Sequence, residues 1–428
     1  MYTEFDKLKI LDNDTVNTKN CSYCNKPFTE ELWCKECDPY RIMEGVASGN
    51  PDIDRFIKNT IYDAKGRGYK FLEWVPYERF TDIKEIGEGG FAKVFSATWI
   101  DGVSKYDKQS DGSLKKREPK PGKLKIQWEV TKFEGLEFYG LTKDPETKEF
   151  MIIIQFAEGG NLRSSLSNNF KNILWKEKIE LLYDSSLDLR DLHESGYLHK
   201  DFHSGNILRI NTTLSLISDF GLSGPANEQK SDDKVYGVMP YIAPEVLNGE
   251  QYTSSADIYS FGVVMAEISS GKPPFYDKKH DLSLALAICN GLRPEFGKGT
   301  PEFYKKLAYK CMNANSNERP TAKELFDMIE FWFDSLESVR DEFGLAFEEA
   351  DKEIPNISTL YKKNSDAVYT SRAFTFSNLL PKPINSSIIT SYINEENNKD
   401  CDSQLVDLEV SNSIQLRDTT VDENSDDD

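Results

Sequence analysis

The chain of 428 residues has no apolar run long enough to cross a membrane. The longest, Met151 to Ala157, is broken by Gln155 and falls far short of the roughly 18 residues a span needs. It also lacks an excess of basic charge: 52 Lys and Arg stand against 72 Asp and Glu, a formal net charge of −20. Such a chain has no field to hold a polyanion, which argues against nucleic-acid binding and against a polybasic membrane anchor. The start, Met1-Tyr2-Thr3-Glu4-Phe5-Asp6, has neither a basic head nor an apolar stretch, so no signal peptide is expected. Cysteine is scarce, seven in all, and the count is odd with four clustered near the start. That suits a reducing compartment, cytoplasmic or nuclear, better than a disulfide scaffold.

What is present divides into four zones without an internal repeat. The length suits two to four domains at ~100–200 residues each. Residues 18–40 hold the cysteines Cys21, Cys24, Cys34 and Cys37. Residues 50–75 read as a helical linker, with Ile53, Phe56, Ile57 and Ile61 at helical spacing. Residues 80–336 carry dense strand-like and helix-like patterns and should form the core. Residues 344–428 thin into Asn, Ser, Asp and Glu, and 394–428 alone holds 12 acids and 2 bases. This stretch is expected to be a mostly disordered acidic tail, with a docking tail as the alternative. Val103 to Gly122, with Lys115-Lys116-Arg117 in its middle, looks like a long hairpin loop rather than a nuclear address.

Four short constellations carry chemistry. Gly87-Glu88-Gly89-Gly90-Phe91-Ala92-Lys93-Val94 can bend backbone N–H groups over phosphates, although a plain hairpin would use the same glycines. His199-Lys200-Asp201-Phe202-His203-Ser204-Gly205-Asn206 sets a carboxylate five residues before a carboxamide, suited to a base and a metal ligand. Ser218-Asp219-Phe220-Gly221 offers a second carboxylate for a magnesium ion, and Ala243-Pro244-Glu245 follows, Glu245 lying 26 residues after Asp219.

Taken together in this order, the four resemble the eukaryotic protein kinase family over about 60% of the chain, Phe80 to Leu336. The wording of the Asp201 loop and the run Ser255-Ala256-Asp257-Ile258-Tyr259-Ser260-Phe261-Gly262 look like the tyrosine-kinase-like group, and the layout is similar to an expanded set of fungal kinase-like proteins. The resemblance implies an α+β bilobal protein kinase fold, with a β-rich small lobe and a helical large lobe, working with ATP and Mg²⁺ on a protein substrate. It implies Asp201 as catalytic base, Asn206 and Asp219 as magnesium ligands, and Gly87 and Gly89 as part of the phosphate cover. Ile86 and Val94 would lie above the adenine and Leu208 below it, with Gln155 and Ala157 as hinge partners and Ile154 as gatekeeper. Asp257 would brace the catalytic loop, and Glu245 would pair with Arg319. Lys200 stands where an Arg is usual, keeping the charge but losing the bidentate fork.

The family also needs a Lys on its third strand paired to a Glu on the following helix. No Val-Ala-Ile-Lys-like run exists, and the nearest candidates are Lys123 and Lys125. Only 30 residues separate Lys125 from Gln155, so the small lobe is expected to be incomplete, with the third strand and most of the control helix deleted. Glu129 or Glu134 could stand in for the helix Glu, and Lys93 for the Lys. His203 and Val238 replace residues typical of serine/threonine enzymes, although the group resemblance favours serine and threonine over tyrosine. Ser223, Ser231 and Tyr236 are phosphorylation candidates.

The two Cys-x-x-Cys pairs, nine residues apart, offer four thiolates to one tetrahedral Zn²⁺, with surface thiols or a redox pair as alternatives. Three functions follow as expectations: a protein kinase in intracellular signalling, a pseudokinase scaffold, and, against the net charge, a zinc-knuckle nucleic-acid binder. The sequence does not fix the oligomeric state or the substrate.

Overall fold

In the computed structural model the described residues are 20–28, 34–42, 47–63, 71–88, 93–103, 106–108, 114–116, 122–127, 137–226, 234–337, 341–376 and 379–394. The cysteine pairs lead into a short helix, α1 (Asp38–Ile42), and then α2 (Pro51–Asp63). α2 starts on Asn50, whose Oδ1 accepts from the Asp52 N–H at 2.9 Å. Its Ile57 and Ile61, one turn apart, are buried to 2% and 1% exposure.

Strands follow as β1 (Glu73–Trp74), β2 (Phe80–Glu88), β3 (Lys93–Trp99), β4 (Tyr106–Lys108), β5 (Leu114–Lys116), β6 (Gly122–Gln127), β7 (Phe138–Lys143) and β8 (Phe150–Gln155). β4 and β5 form their own hairpin inside the Val103–Gly122 loop, and the other six make one sheet in the order β1-β7-β8-β6-β3-β2. β6 pairs antiparallel with β3 on one side and β8 on the other, so the expected deletion of a third strand is corrected. The strand is short and lysine-rich, and ladders on both edges hold it in place. The shortfall in length falls instead between Gln127 and Phe138. Those ten residues (138 − 127 − 1) could make fewer than three helical turns. Glu129 and Glu134 lie there, outside the described residues.

β8 shows strict alternation. Met151 and Ile153 pack with Val75, Phe80, Ala97 and Trp99 on one face. Ile152 and Ile154 face the other way, into a cluster joining α2 to Leu141 and to Leu208, Ile210 and Leu216 of the lobe below. β1 lies so tightly along β7 that a Cβ on Gly140 would sit 2.0 Å from the Glu73 carbonyl oxygen. Only glycine fits that approach.

The large lobe continues through α3 (Leu162–Asn169), α4 (Trp175–Glu194), β9 (Tyr197–Leu198), the hairpin β10 (Ile207–Arg209) and β11 (Ser215–Ile217), β12 (Gly224–Pro225) and β13 (Val235–Gly237). Helices α5 (Pro244–Leu247), α6 (Ser254–Ser270), α7 (Leu282–Cys289), α8 (Glu302–Cys311) and α9 (Ala322–Glu337) complete it. α6 is buried on every side from Ala256 onward, the centre around which the others pack.

Beyond Phe343 the expected disordered tail is corrected as far as residue 394. α10 (Glu342–Asp351), capped by Asp341, seats Phe347 at 1% exposure against Trp175 and Trp332. A strap follows, then β14 (Arg372–Phe374), and α11 (Ser387–Asn394) lies on α8. Composition misleads here because this segment builds no core of its own. Single apolar residues, Phe347, Ile354, Phe374 and Ile389, each enter the surface of the large lobe. Residues 395–428, with most of the acidic run, lie outside the described residues.

Candidate active site

The loop between β9 and β10 is fixed from below by one carboxylate. Asp257, fully buried on the first turn of α6, accepts from the His199 N–H at 2.9 Å, the Lys200 N–H at 3.0 Å and the Tyr252 hydroxyl at 2.8 Å. His193 Nε2 lies 2.9 Å away. Burial alone would raise the Asp257 carboxyl, but these bonds and the neighbouring imidazoles hold it below the usual range. Lys200 in this loop and Asp219 just past β11 have φ of +66° and +65°, uncommon for residues with side chains.

Asp201 sits at 7% exposure with His203 Nε2 3.7 Å from its Oδ2. Burial would raise it too, and the electrostatic pull of the nearby His203 imidazole, with a bond from Ser371, holds it below the usual carboxyl range. It is therefore an ionised acceptor at neutral pH. Beside it runs β13, where Gly237 has φ +137° and a Cβ would lie 3.4 Å from Asp201 Oδ1.

The β10–β11 hairpin brings the two expected cation ligands together. Ile207 pairs with Ile217, which sets Asn206 and Ser218 opposite one another at the open end, and Ser218 N–H donates to the Asn206 carbonyl at 2.7 Å. Asp219 is the next residue. The Asn206 Nδ2 donates to the Asp201 carbonyl at 3.0 Å, which leaves Oδ1 as the atom for a cation. A carboxylate and a carboxamide oxygen are the hard donors Mg²⁺ takes, so the residues fit that ion. The Phe220 ring packs 5.2 Å from the His199 ring, tying the Asp219 segment to the loop.

The other expected nucleotide contacts gather where β2, β3, β8 and β10 meet. Gly87 and Val94 are register partners, with Ile86 beside them on β2. Gln155 ends β8 and Ala157 follows; the Gly159 N–H donates to the Arg209 carbonyl and the Arg209 N–H to the Gly160 carbonyl, which clips this turn onto β10 next to Leu208. Gly89 lies outside the described residues. In backbone register Lys125 stands between Ser96 of β3 and Ile154 of β8. Lys93 points elsewhere: its Nζ is 3.5 Å from Glu85 Oε2, both side chains largely exposed. Ser223 donates to the His199 carbonyl at 3.1 Å, Tyr236 lies in β13, and Ser231 is outside the described residues.

Four participants lie outside the sequence expectations: Arg163, Tyr241, Glu267 and Ser371. Arg163 on α3 lies 3.3 Å from His203 Nδ1 and from the Tyr241 hydroxyl, and 3.9 Å from Glu267. Tyr241 in turn donates to Glu267 at 2.6 Å. A glutamate inside the apolar run of α6 was a signal, because a buried charge needs partners. Ser371, which donates its hydroxyl to Asp201 Oδ2, had none.

At the far end of the chain, the sulfurs of Cys21, Cys24, Cys34 and Cys37 all lie within 4.8 Å of one another, with Cys24 and Cys34 3.6 Å apart. Four sulfurs ~2.3 Å from one tetrahedral ion would lie just under 4 Å apart, so the set fits such an ion.

Comparison with known proteins shows the family. The family described as protein tyrosine and serine/threonine kinase matches residues 80–329, more than half the chain. A serine/threonine-protein kinase/receptor of Acanthamoeba polyphaga mimivirus is 30% identical over 285 residues, covering 65% of this chain and 17% of that protein. A serine/threonine-protein kinase of Dictyostelium discoideum is 28% identical over 280 residues, 65% of this chain and 45% of its own. A receptor-like protein kinase of Arabidopsis thaliana is 26% identical over 324 residues, 68% of this chain and 38% of its own. The chain thus spans less than half the length of each of these relatives. Among the described residues no helix is long and apolar enough to cross a membrane.

Proposed function

The chain belongs to the protein tyrosine and serine/threonine kinase family, and from that premise we propose that it is an active kinase, moving the γ-phosphate of ATP to protein hydroxyls, serine and threonine before tyrosine, in intracellular signalling of the tyrosine-kinase-like type. One observation carries this reading: an ionised Asp201, fixed by the Asp257-braced loop, already accepts a bond from an alcohol. That is the contact a general base must make with an acceptor hydroxyl. Asn206 Oδ1 and Asp219 would hold Mg²⁺, which when bound offsets charge on the phosphates. Ile86, Val94 and Leu208 would enclose the adenine, and the Gln155–Ala157 turn would offer it backbone groups.

Lys125 is the phosphate lysine in this reading, by its register in the third strand. Replacing it by Met should reduce transfer roughly 10–100-fold, the value of one charge-assisted phosphate contact, whereas Lys123→Met should do far less. A second reading, a pseudokinase scaffold, draws on the ten residues between β6 and β7, too few for a control helix of usual length. The experiment is transfer of labelled γ-phosphate from ATP with Mg²⁺ to casein by the purified chain. Transfer abolished by Asp201→Asn and by chelating Mg²⁺ supports the kinase. A folded chain that transfers nothing, whatever its variants, supports the scaffold.

The cysteine cluster in this reading holds one structural Zn²⁺ that ties the Cys21–Cys24 and Cys34–Cys37 knuckles together, each too small to fold alone. Metal analysis should find one zinc per chain, lost in Cys24→Ser. A full-length protein free of zinc after purification without chelators would remove the idea.

A further inference from the structure

The acceptor position at Asp201 is filled from within the chain. Residues 357–376 run along the large lobe as a strap, fastened at successive points. The Asn364 N–H donates to the Tyr276 carbonyl at 2.8 Å, and the His280 N–H to the Asp366 carbonyl at 3.1 Å. The Tyr369 hydroxyl donates to the Pro274 carbonyl at 2.9 Å, and Arg163 Nη1 to the Tyr369 carbonyl at 2.9 Å. The strap then becomes β14, antiparallel to β13, with Gly237 opposite Arg372 and Val235 opposite Phe374.

That register leaves Ser371 just beyond Gly237, the residue without a side chain beside Asp201, and the Ser371 hydroxyl meets Asp201 Oδ2. Two residues earlier the Tyr369 ring lies 5.0 Å from the Arg163 guanidinium. Three residues later Phe374, at 8% exposure, is seated in the large-lobe core. An extended strand, aromatic anchors on both sides and an alcohol at the base are what a bound substrate peptide presents.

We infer that Ser371 is an intramolecular phosphoacceptor, and that the strap shows the class of peptide this site takes: extended, with an aromatic residue two before the acceptor serine and another three after it. The inference rests on the kinase reading above. In the step, Ser371 Oγ bonds to the γ-phosphorus of ATP as its bond to the β,γ-bridging oxygen breaks. ADP leaves with that electron pair, and the hydroxyl proton passes to Asp201 and on to water. The product carries about −1.5 to −2 charges beside the Asp201 carboxylate, and like charges so close repel. Transfer to Ser371 therefore expels the strand and opens the site to other proteins.

The test uses the full chain with Mg²⁺ and ATP, phosphosite mapping by mass spectrometry across a dilution series, and casein as an external acceptor. The expected result is phosphate on Ser371 at a rate unchanged by dilution, absent in Ser371→Ala and Asp201→Asn. Phe374→Asp, which puts a charge in the apolar seat, should cut Ser371 phosphorylation at least tenfold and raise casein transfer several-fold. Casein transfer without phosphate on Ser371 overturns the inference and leaves the kinase reading standing. So does a Ser371 rate that rises with protein concentration, or casein transfer seen in Phe374→Asp alone, which would make the strap a plug. No transfer by wild type or Phe374→Asp overturns both.

Discussion

Replacing Arg319 by alanine should cost the protein about 3–5 kcal/mol of stability, the usual loss when one partner of a buried ion pair is removed. Arg319 has a fully buried side chain and meets Glu245 with both ends of its fork, Nη1 to Oε1 at 2.6 Å and Nη2 to Oε2 at 2.7 Å. It also donates to the Ser255 carbonyl at 2.9 Å and, through Nε, to the Asn313 carbonyl at 2.8 Å. Alanine leaves a buried carboxylate without its guanidinium, takes one donor from each of two carbonyls, and opens a void beside Tyr259. At ~2–4 °C per kcal/mol for domains approaching this size, the melting temperature should fall by about 10 °C. Arg319→Lys should recover only part of that, because an ammonium cannot reach both oxygens in the same plane. Changing both partners together, Arg319→Met with Glu245→Gln, should cost less than Arg319→Ala alone. A double variant worse than the single one would show that the pair contributes through its own attraction rather than by avoiding an orphaned charge.

Lys178→Met should stabilise the protein at neutral pH, by on the order of 1–3 kcal/mol. Lys178 on α4 is fully buried and its Nζ has no hydrogen-bond partner among the described residues. Burial pushes its ammonium down to about 7, against the attraction of the Asp351 carboxylate. The rings of Phe170 and Trp175, 4.3 and 4.8 Å from Nζ, recover part of the lost hydration. Methionine keeps the length and fills the same space without the charge. The folded pKa lies below the unfolded one, so between about pH 7 and the ordinary lysine range the unfolded chain holds a proton that the folded chain has released. Stability from this site therefore rises with pH across that window, and the penalty is fully present below it. The gain from Lys178→Met should be largest at and below pH 7 and shrink towards pH 10, as read from thermal melts at both values. An equal gain at both would mean that packing, not charge, is responsible.

The loop His199–Asn206 and the segment Ser218–Gly221 could be picked out from sequence because their polar residues are clustered in a way that no strand or helix requires. The short interval before Gln155 was also visible, but its assignment was not. A count of residues cannot say which element absorbs a shortfall, and β6, β7 and β8 all take their places while residues 128–137 carry it. Lys123 and Lys125 alternate with Leu124 and Ile126, a strand pattern that stood out less than the missing motif. The strap was hidden for a different reason. Its anchors are single residues without periodicity, and its partner strand, Val235–Gly237, lies about 135 residues earlier, so neither local pattern nor composition reports the pairing.

The backbone that presses on Gly140 bears on where this molecule can be divided. The family match ends at residues 80 and 329, yet the sheet edge at β7 is closed by β1, upstream of one limit, and β13 is closed by β14, downstream of the other. A fragment trimmed to those limits would keep every motif and still carry two unpaired strand edges, the kind of surface on which chains stack on one another. The stretch that names the family and the stretch that can stand alone in solution are different lengths of this chain.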